Sequence, residues 1–284
     1  MSFEPTTSDG HAGLTGLIAD PGRALVAFDY DGTLAPIVAD PTTATSHPDV
    51  VVALSELAPL VGTVAVITGR PAQVAVALGG FAHERGLEHL IVVGHYGLER
   101  WSAATGVFET AEPPKGLDAV RAALQGLLES MGVGDADIED KGLSIAVHVR
   151  RLPSPEEAFA AIREPLERLA HEQGLTAEPG RFVVELRPPG MDKGIALRHL
   201  VDEVEARTIV FAGDDLGDLA AFAEVERLRR DGRAGLLICS GSAEVTALAE
   251  RADLVLDGPA GVAAWMGALV GRLGAGSGSA GVVS

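Results

Sequence analysis

Six short runs rich in valine, isoleucine and leucine recur along the chain, at residues 25–29, 63–68, 90–94, 208–213, 236–240 and 254–257. They are continuously apolar rather than alternating, which is what strands covered on both faces require. Between them lie helical patterns at 48–60, 71–78, 192–206 and 241–251. Strand, helix and strand in repetition predict an α/β fold with a doubly wound, Rossmann-like parallel sheet.

The stretch from 112 to 187 has a different rhythm. Leu117, Val120, Leu124, Leu127 and Met131 fit one face of a helix. Ser154-Pro155-Glu156-Glu157 predicts an N-cap, a first-turn proline and a capping-box glutamate for a second helix. That helix would turn Phe159, Ile162, Leu166 and Leu169 inward and kink at Pro165. Residues 143–149 and 181–187 alternate apolar with polar, as one-sided strands do. The expected organisation is a core in two parts, 1–111 and 188–273, with an α+β cap inserted at 112–187. Pro113-Pro114 and Pro188-Pro189-Gly190 mark the hinges. The Gly/Ser-rich residues 274–284 are expected to be a disordered tail.

Composition narrows the range of partners. The chain has 284 residues, 47% of them hydrophobic, enough for a sizeable core in one or two domains. With 40 acidic against 22 basic residues the net charge is -18, which repels a polyanion and argues against nucleic acid. The single cysteine, Cys239, permits no internal disulfide and suits a reducing compartment, where it would act as a small buried hydrophobe. Residues 1–17 lack the features of a secretory signal, and no apolar run approaches the roughly 18 residues of a membrane span. A cytoplasmic monomer with no membrane partner is the expectation.

Two of the apolar runs end in carboxylates: Asp29 and Asp31 after the first, Asp214, Asp215 and Asp218 after the fourth. Ligands of open parallel sheets bind at the carboxyl ends of the strands. Two further polar groups fall at such ends, Thr68-Gly69-Arg70 and Lys193. Taken singly, an aspartate there is as often a turn former or helix cap, and Lys193 alone could be a solvated helix residue. Several like charges buried together cost several kcal/mol unless a cation or partner compensates, so the pairing calls for a divalent metal or a positively charged substrate. An all-oxygen ligand set points to Mg²⁺.

Asp29-Tyr30-Asp31-Gly32-Thr33, Thr68-Gly69-Arg70, Lys193 at a helix start and Gly213-Asp214-Asp215-Leu216-Gly217-Asp218 together resemble the four motifs of the haloacid-dehalogenase-like phosphohydrolases. The resemblance implies Asp29 as nucleophile, ionised at neutral pH without activation, and Asp31 as general acid and base. It implies Thr68 and Lys193 on phosphate oxygens. It implies Mg²⁺ on Asp29, the Asp31 carbonyl and Asp214, with Asp215 and Asp218 in support.

More narrowly, residues 29–37, 67–70, 93–99 and 184–188 resemble the trehalose-6-phosphate phosphatases, over about residues 22 to 272. Glu139-Asp140-Lys141, His148-Val149-Arg150 and Glu185 resemble that family's cap signatures. The implied sugar contacts are Glu139, Lys141 and Glu185, with Thr33, Gly69, Arg70, His95, Arg150 and Arg187 also expected to bind substrate. Read without the resemblance, the cap residues are more often exposed strand charges, His95 is as readily a loop histidine as a ligand contact, and cap folding is the alternative to substrate binding for His148 and Arg150. Gly217-Asp218-Leu219-Ala220 departs from the family pattern and leaves the part played by Asp218 open, and Tyr96 between His95 and Gly97 departs from it in the 93–99 loop. The implied activity is Mg²⁺-dependent hydrolysis of trehalose 6-phosphate, a small phosphorylated disaccharide. A phosphatase of another phosphosugar, such as sucrose 6-phosphate or a glucosylglycerate phosphate, a phosphosugar mutase and a non-catalytic phosphosugar-binding protein are the competing readings.

Overall fold

The computed structural model describes residues 3–241 and 246–277. Before the insertion run strands β1 (Ala24–Phe28), β2 (Thr63–Ile67), β3 (Ile91–Gly94), β4 (Glu99–Ser102) and β5 (Phe108–Thr110). Within it lie β6 (Asp137–Asp140), β7 (Ile145–His148), β8 (Thr176–Gly180) and β9 (Val183–Arg187). After it come β10 (Thr208–Gly213), β11 (Ala234–Gly241) and β12 (Leu254–Asp257). The helices are α1 (Ser8–Ala19), α2 (Pro48–Leu57), α3 (Ala72–Gly79), α4 (Leu117–Ser130), α5 (Pro155–Glu172), α6 (Lys193–Glu203), α7 (Leu219–Arg230), α8 (Thr246–Ala249) and α9 (Gly258–Ser277).

Two units result, one of residues up to Glu109 together with those from Asp192 onward, the other Thr110–Met191. In the first, the described strands order as β12-β11-β10-β1-β2-β3-β4-β5. β12 through β3 are parallel, and β4 runs antiparallel to β3. All six predicted apolar runs are strands of this sheet. Val26 and Phe28 pack with α1, α2, α3 and α9 on one face, while Leu25 and Ala27 pack with α6, α7 and α8 on the other. Each fully buried side chain of that size contributes about 1.5–3 kcal/mol, so β1, buried at all five positions, anchors both layers. The order reverses at β1: the chain moves outward to β2 and β3 on one side and to β10, β11 and β12 on the other. The carboxyl ends of β1 and β10 therefore form the switch point where such sheets bind ligands.

In the second unit the order is β6-β7-β9-β8, antiparallel throughout. Leu117, Val120, Leu124 and Leu128 of α4 and Ala158, Ile162, Leu166 and Ala170 of α5 cover one face of it. Leu127, Met131, Phe159 and Leu169, expected inward, are only partly buried, so each apolar stripe is rotated slightly from the predicted one. Ser154 stands at the N-cap position of α5 with Pro155 next, but its hydroxyl makes no capping bond. Its ψ of 74° departs from the extended geometry that aims a capping oxygen at the first turn. The helix continues through Pro165.

Helix α9 reaches Ser277, so residues 274–277 are helical where a disordered tail was expected; residues 278–284 lie outside the described residues. Burial of Val262, Trp265, Met266, Leu269 and Leu273 holds this glycine-rich helix in place. Among the described residues no helix is long and apolar enough to cross a membrane.

Candidate active site

Register sets the centre. Phe28 pairs with Ala212, and the Asp29 amide donates to the Ala212 carbonyl at 2.8 Å, so the residues that follow both strands emerge side by side. Asp29, Asp214 and Asp218 are buried, and one carboxylate oxygen from each lies within 4.8 Å of the others. Gly32 (φ 71°) turns the chain back beneath them, and a Cβ there would run into the Asp214 carboxylate.

Lys193 stands over this cluster. Asp192 caps α6 by accepting from the Ile195 amide at 2.8 Å, which fixes Lys193 as the first helical residue. Its Nζ lies 2.7 Å from both Asp29 Oδ1 and Asp218 Oδ1. At 4% exposure it is no solvated helix residue. The other oxygen of Asp218 accepts from the amides of Asp214 (2.9 Å) and Asp215 (3.2 Å), and Asp215 accepts from Gly217. Asp218 thus ties Lys193 to the loop that carries Asp214.

One ammonium does not balance this much negative charge. Burial pushes the Asp29 carboxyl well above the usual range; Lys193 opposes the shift, while Asp218, Asp214 and Asp215 reinforce it. Asp214 is pushed up to about 8 by burial and then by Asp215 and Asp218. Asp218 is raised too, again by burial before any neighbour. Burial works against the charge on Lys193, but Asp218 and Asp29 outweigh it and hold its pKa well above the lysine norm. In the chain alone, desolvation and these acidic neighbours disfavour the charge on Asp29. Three converging hard oxygens with surplus negative charge fit a divalent cation.

Asp31 lies beyond the trio. Arg70 grips both its oxygens, Nε to Oδ2 at 2.6 Å and Nη2 to Oδ1 at 2.7 Å, while stacking over Tyr30 and bonding the Pro41 carbonyl. Thr33 is fully buried in the same turn, and its hydroxyl has no hydrogen-bond partner among the described residues. Ser240, at the end of β11, donates to the Gly32 carbonyl at 2.7 Å from 208 residues away. Sequence reasoning missed this contact, since a serine closing an apolar strand gives no sign of a partner so distant.

After β2, the buried Thr68 accepts from the Arg70 amide at 3.1 Å. Packed on this loop is the turn His95–Gly97, where His95 (φ 47°) and Tyr96 (φ 57°) are both left-handed, at a cost of about 1–2 kcal/mol each. His95 is 1% exposed and so is not an ordinary loop histidine.

In the Thr110–Met191 unit, the row Glu139, Ala146, Glu185 and Glu178 crosses the four strands. Burial disfavours the charge on Glu185, but Lys141 at 3.1 Å and Ser144 at 2.6 Å, both on Oε1, outweigh it and lower its pKa. Glu185 and Arg187 are buried, unlike ordinary exposed strand charges, and Arg187 lies 3.5 Å from Glu178. Glu139 is exposed and pairs with His148 at 3.0 Å. Arg150 follows the end of β7 and bonds the Arg181 carbonyl at 3.4 Å. The structure thus groups Asp29, Asp214, Asp218 and Lys193 around one centre, Asp31 with Arg70, and separately Lys141, Ser144 and Glu185.

A doubly wound sheet with aspartates at its switch point and an α+β unit inserted in it is the fold of the haloacid dehalogenase-like hydrolases. One of these, from Bacteroides thetaiotaomicron, superposes with a TM-score of 0.62 over 87% of this chain and 99% of its own, at 12% identity. Within that class the chain belongs to the trehalose-phosphatase family, whose model matches residues 27–257. The C-terminal domain of the C. albicans trehalose-6-phosphate phosphatase matches with a TM-score of 0.74 over 95% of this chain and 99% of its own, at 21% identity. A trehalose-phosphate phosphatase of Mycobacterium marinum is 30% identical over 258 residues, 88% of this chain. The chain spans 62% of that relative's length.

Proposed function

We propose that the protein is a Mg²⁺-dependent phosphatase that hydrolyses trehalose 6-phosphate to trehalose and inorganic phosphate. The observation that carries this reading is the buried Asp29–Asp214–Asp218 cluster with Lys193 at the switch point, in a chain of the trehalose-phosphatase family.

A carboxylate oxygen of Asp29 attacks phosphorus in line, and the bond from phosphorus to the sugar oxygen breaks, leaving an aspartyl phosphate. Asp31 gives its proton to the departing alkoxide. It then takes a proton from the water that attacks phosphorus, and cleavage of the acyl-phosphate bond releases phosphate and restores Asp29. Thr68 and Lys193 hold phosphate oxygens, the lysine as a point charge. Asp29, Asp214 and the main-chain carbonyl of Asp31 would hold Mg²⁺, with Asp215 and Asp218 behind them. When bound, the cation supplies charge that screens the anionic nucleophile from the phosphate dianion. In the inserted unit, Glu185, fixed by Lys141 and Ser144, and Glu139 hydrogen-bond glucose hydroxyls.

The test is Mg²⁺-dependent phosphate release from trehalose 6-phosphate beside sucrose 6-phosphate, glucose 6-phosphate and an aryl phosphate. A preference for trehalose 6-phosphate of about a hundredfold, worth about 2.7 kcal/mol in the transition state, is the expected result. Equal or reversed selectivity would remove trehalose 6-phosphate as the substrate. An isomeric sugar phosphate in place of free phosphate would make the protein a mutase.

A further inference from the structure

Helix α3 begins at Ala72 directly after Pro71, which has no side-chain group to cap it. The acceptor for its first amide comes instead from another strand: Glu99, the first residue of β4, takes the Ala72 N–H on Oε2 at 2.6 Å. The intervening turn adds further bonds to the same loop. The Thr68 amide donates to the Val93 carbonyl at 2.9 Å, the His95 amide to the Arg70 carbonyl at 3.0 Å, and the Tyr96 amide to the Thr68 carbonyl at 3.1 Å. The left-handed pair His95 and Tyr96 aims these two successive N–H groups at one loop, which accounts for an otherwise unfavourable conformation. Contact is backbone to backbone: a Cβ on Gly94 would press on the Arg70 carbonyl and the Ala72 amide, and one on Gly69 would meet the Tyr96 ring. The Glu99 side chain is 15% exposed, and its Oε1 lies 4.0 Å from His95 Nε2.

We infer that Glu99 and the His95–Gly97 turn form a brace that sets the Thr68-Gly69-Arg70 loop, making Glu99 a positioning residue for phosphoryl transfer and giving His95 a place in the brace rather than on the sugar. This rests on the proposal that Thr68 holds phosphate. A carboxylate at the first amide of α3 fixes where the helix starts, and so where the Thr68 hydroxyl and the Arg70 guanidinium stand relative to Asp29 and Asp31. Small misplacements of such groups lower rates by large factors without removing any contact to substrate.

The experiment compares Glu99→Ala, Glu99→Gln and Thr68→Ala in the full chain with Mg²⁺, well below each melting temperature. The readouts are kcat and KM for trehalose 6-phosphate and for an aryl phosphate, and the inhibition constant of inorganic phosphate. Glu99→Ala is expected to lower kcat/KM about ten- to a hundredfold on both substrates alike, and to weaken phosphate inhibition severalfold. Glu99→Gln, whose amide oxygen accepts the same N–H, is expected to restore most of both. Unchanged phosphate affinity in Glu99→Ala, or a loss confined to the sugar substrate, would overturn the brace. If Thr68→Ala leaves phosphate affinity untouched, the reading of Thr68 fails, a result separable from any result at Glu99.

Discussion

Two buried carboxylates, each beside a lysine, behave in opposite ways. Asp29 in the parallel sheet is pushed up, and Glu185 in the antiparallel sheet is pulled down. Both pay for desolvation, so the difference lies in how many acids share each cation. Lys193 is divided between Asp29 and Asp218, with Asp214 and Asp215 close by. Lys141 serves Glu185 alone among the described ion pairs, with Ser144 bonded to the same oxygen and the Arg187 charge assisting. The first site carries surplus negative charge and calls for a cation. The second is electrostatically complete and presents a fixed polar face suited to neutral hydroxyls.

The largest test of this contrast is Asp29→Asn. It is expected to lower turnover by at least about 10⁴-fold, as loss of a nucleophile does, while leaving the fold intact or more stable without Mg²⁺. Appreciable residual phosphate release would remove Asp29 as nucleophile. Next, Glu185→Ala is expected to cut kcat/KM for trehalose 6-phosphate about a hundredfold, because the half-buried Lys141 loses its partner and the sugar an acceptor. An aryl phosphate should change by less than about threefold on the same reasoning; equal losses on both would place Glu185 outside the sugar site.

A third experiment sets the two sites against each other by pH. Asp214 is held at about 8 in the folded chain and lies near 4 when unfolded. Its folded pKa is raised, so the stability that Asp214 contributes to the metal-free protein is fully present below about 4 and is lost as pH rises through about 8. Added Mg²⁺ should therefore raise the melting temperature more at pH 8 than at pH 5, and a shift independent of pH would sink the cation assignment. Glu185 has the opposite sign: its folded pKa is lowered, so its contribution is complete above its unfolded pKa and is lost as the medium turns more acidic. The smallest expected effect is that of Ser144→Ala, about 1 kcal/mol for one hydrogen bond, read from denaturant midpoints and accompanied by a modest rise in KM for the sugar substrate alone.

Much of the fold was legible because the apolar runs of a two-sided sheet are continuous and their ends are punctuated by carboxylates. β6 and β8 went unread because edge strands need little apolar surface. Asp137, Glu139 and Asp140 are charged, and β8 carries Pro179 and Gly180, which ordinarily argue against a strand and are tolerated at an edge. α9 went unread, and its last residues were taken for a disordered tail, because of glycines whose low helix propensity is overridden by the burial of Trp265 and its neighbours. At the site, residues whose chemistry is intrinsic, such as Asp29, Asp214 and Lys193, could be picked out from motif and position. Ser240, Ser144 and Glu99 could not, because each matters through a partner that only folding brings near. Arg70 was assigned to substrate on resemblance, while the structure places it on both oxygens of Asp31.

The pairing of β1 with β10, reinforced by the bond from Ser240 to Gly32 across 208 residues, bears on when the aspartate cluster can assemble. Closing so long a loop is costly, so this pairing is expected to form after the local helices and the β1–β2 pairing. A nascent chain carries Asp29 before Asp214, and the two are not neighbours until β10 has been made and docked. Regain of phosphatase activity during refolding would then report the last long-range step, lagging behind the recovery of helical signal, and partly made chains would leave phosphate esters untouched.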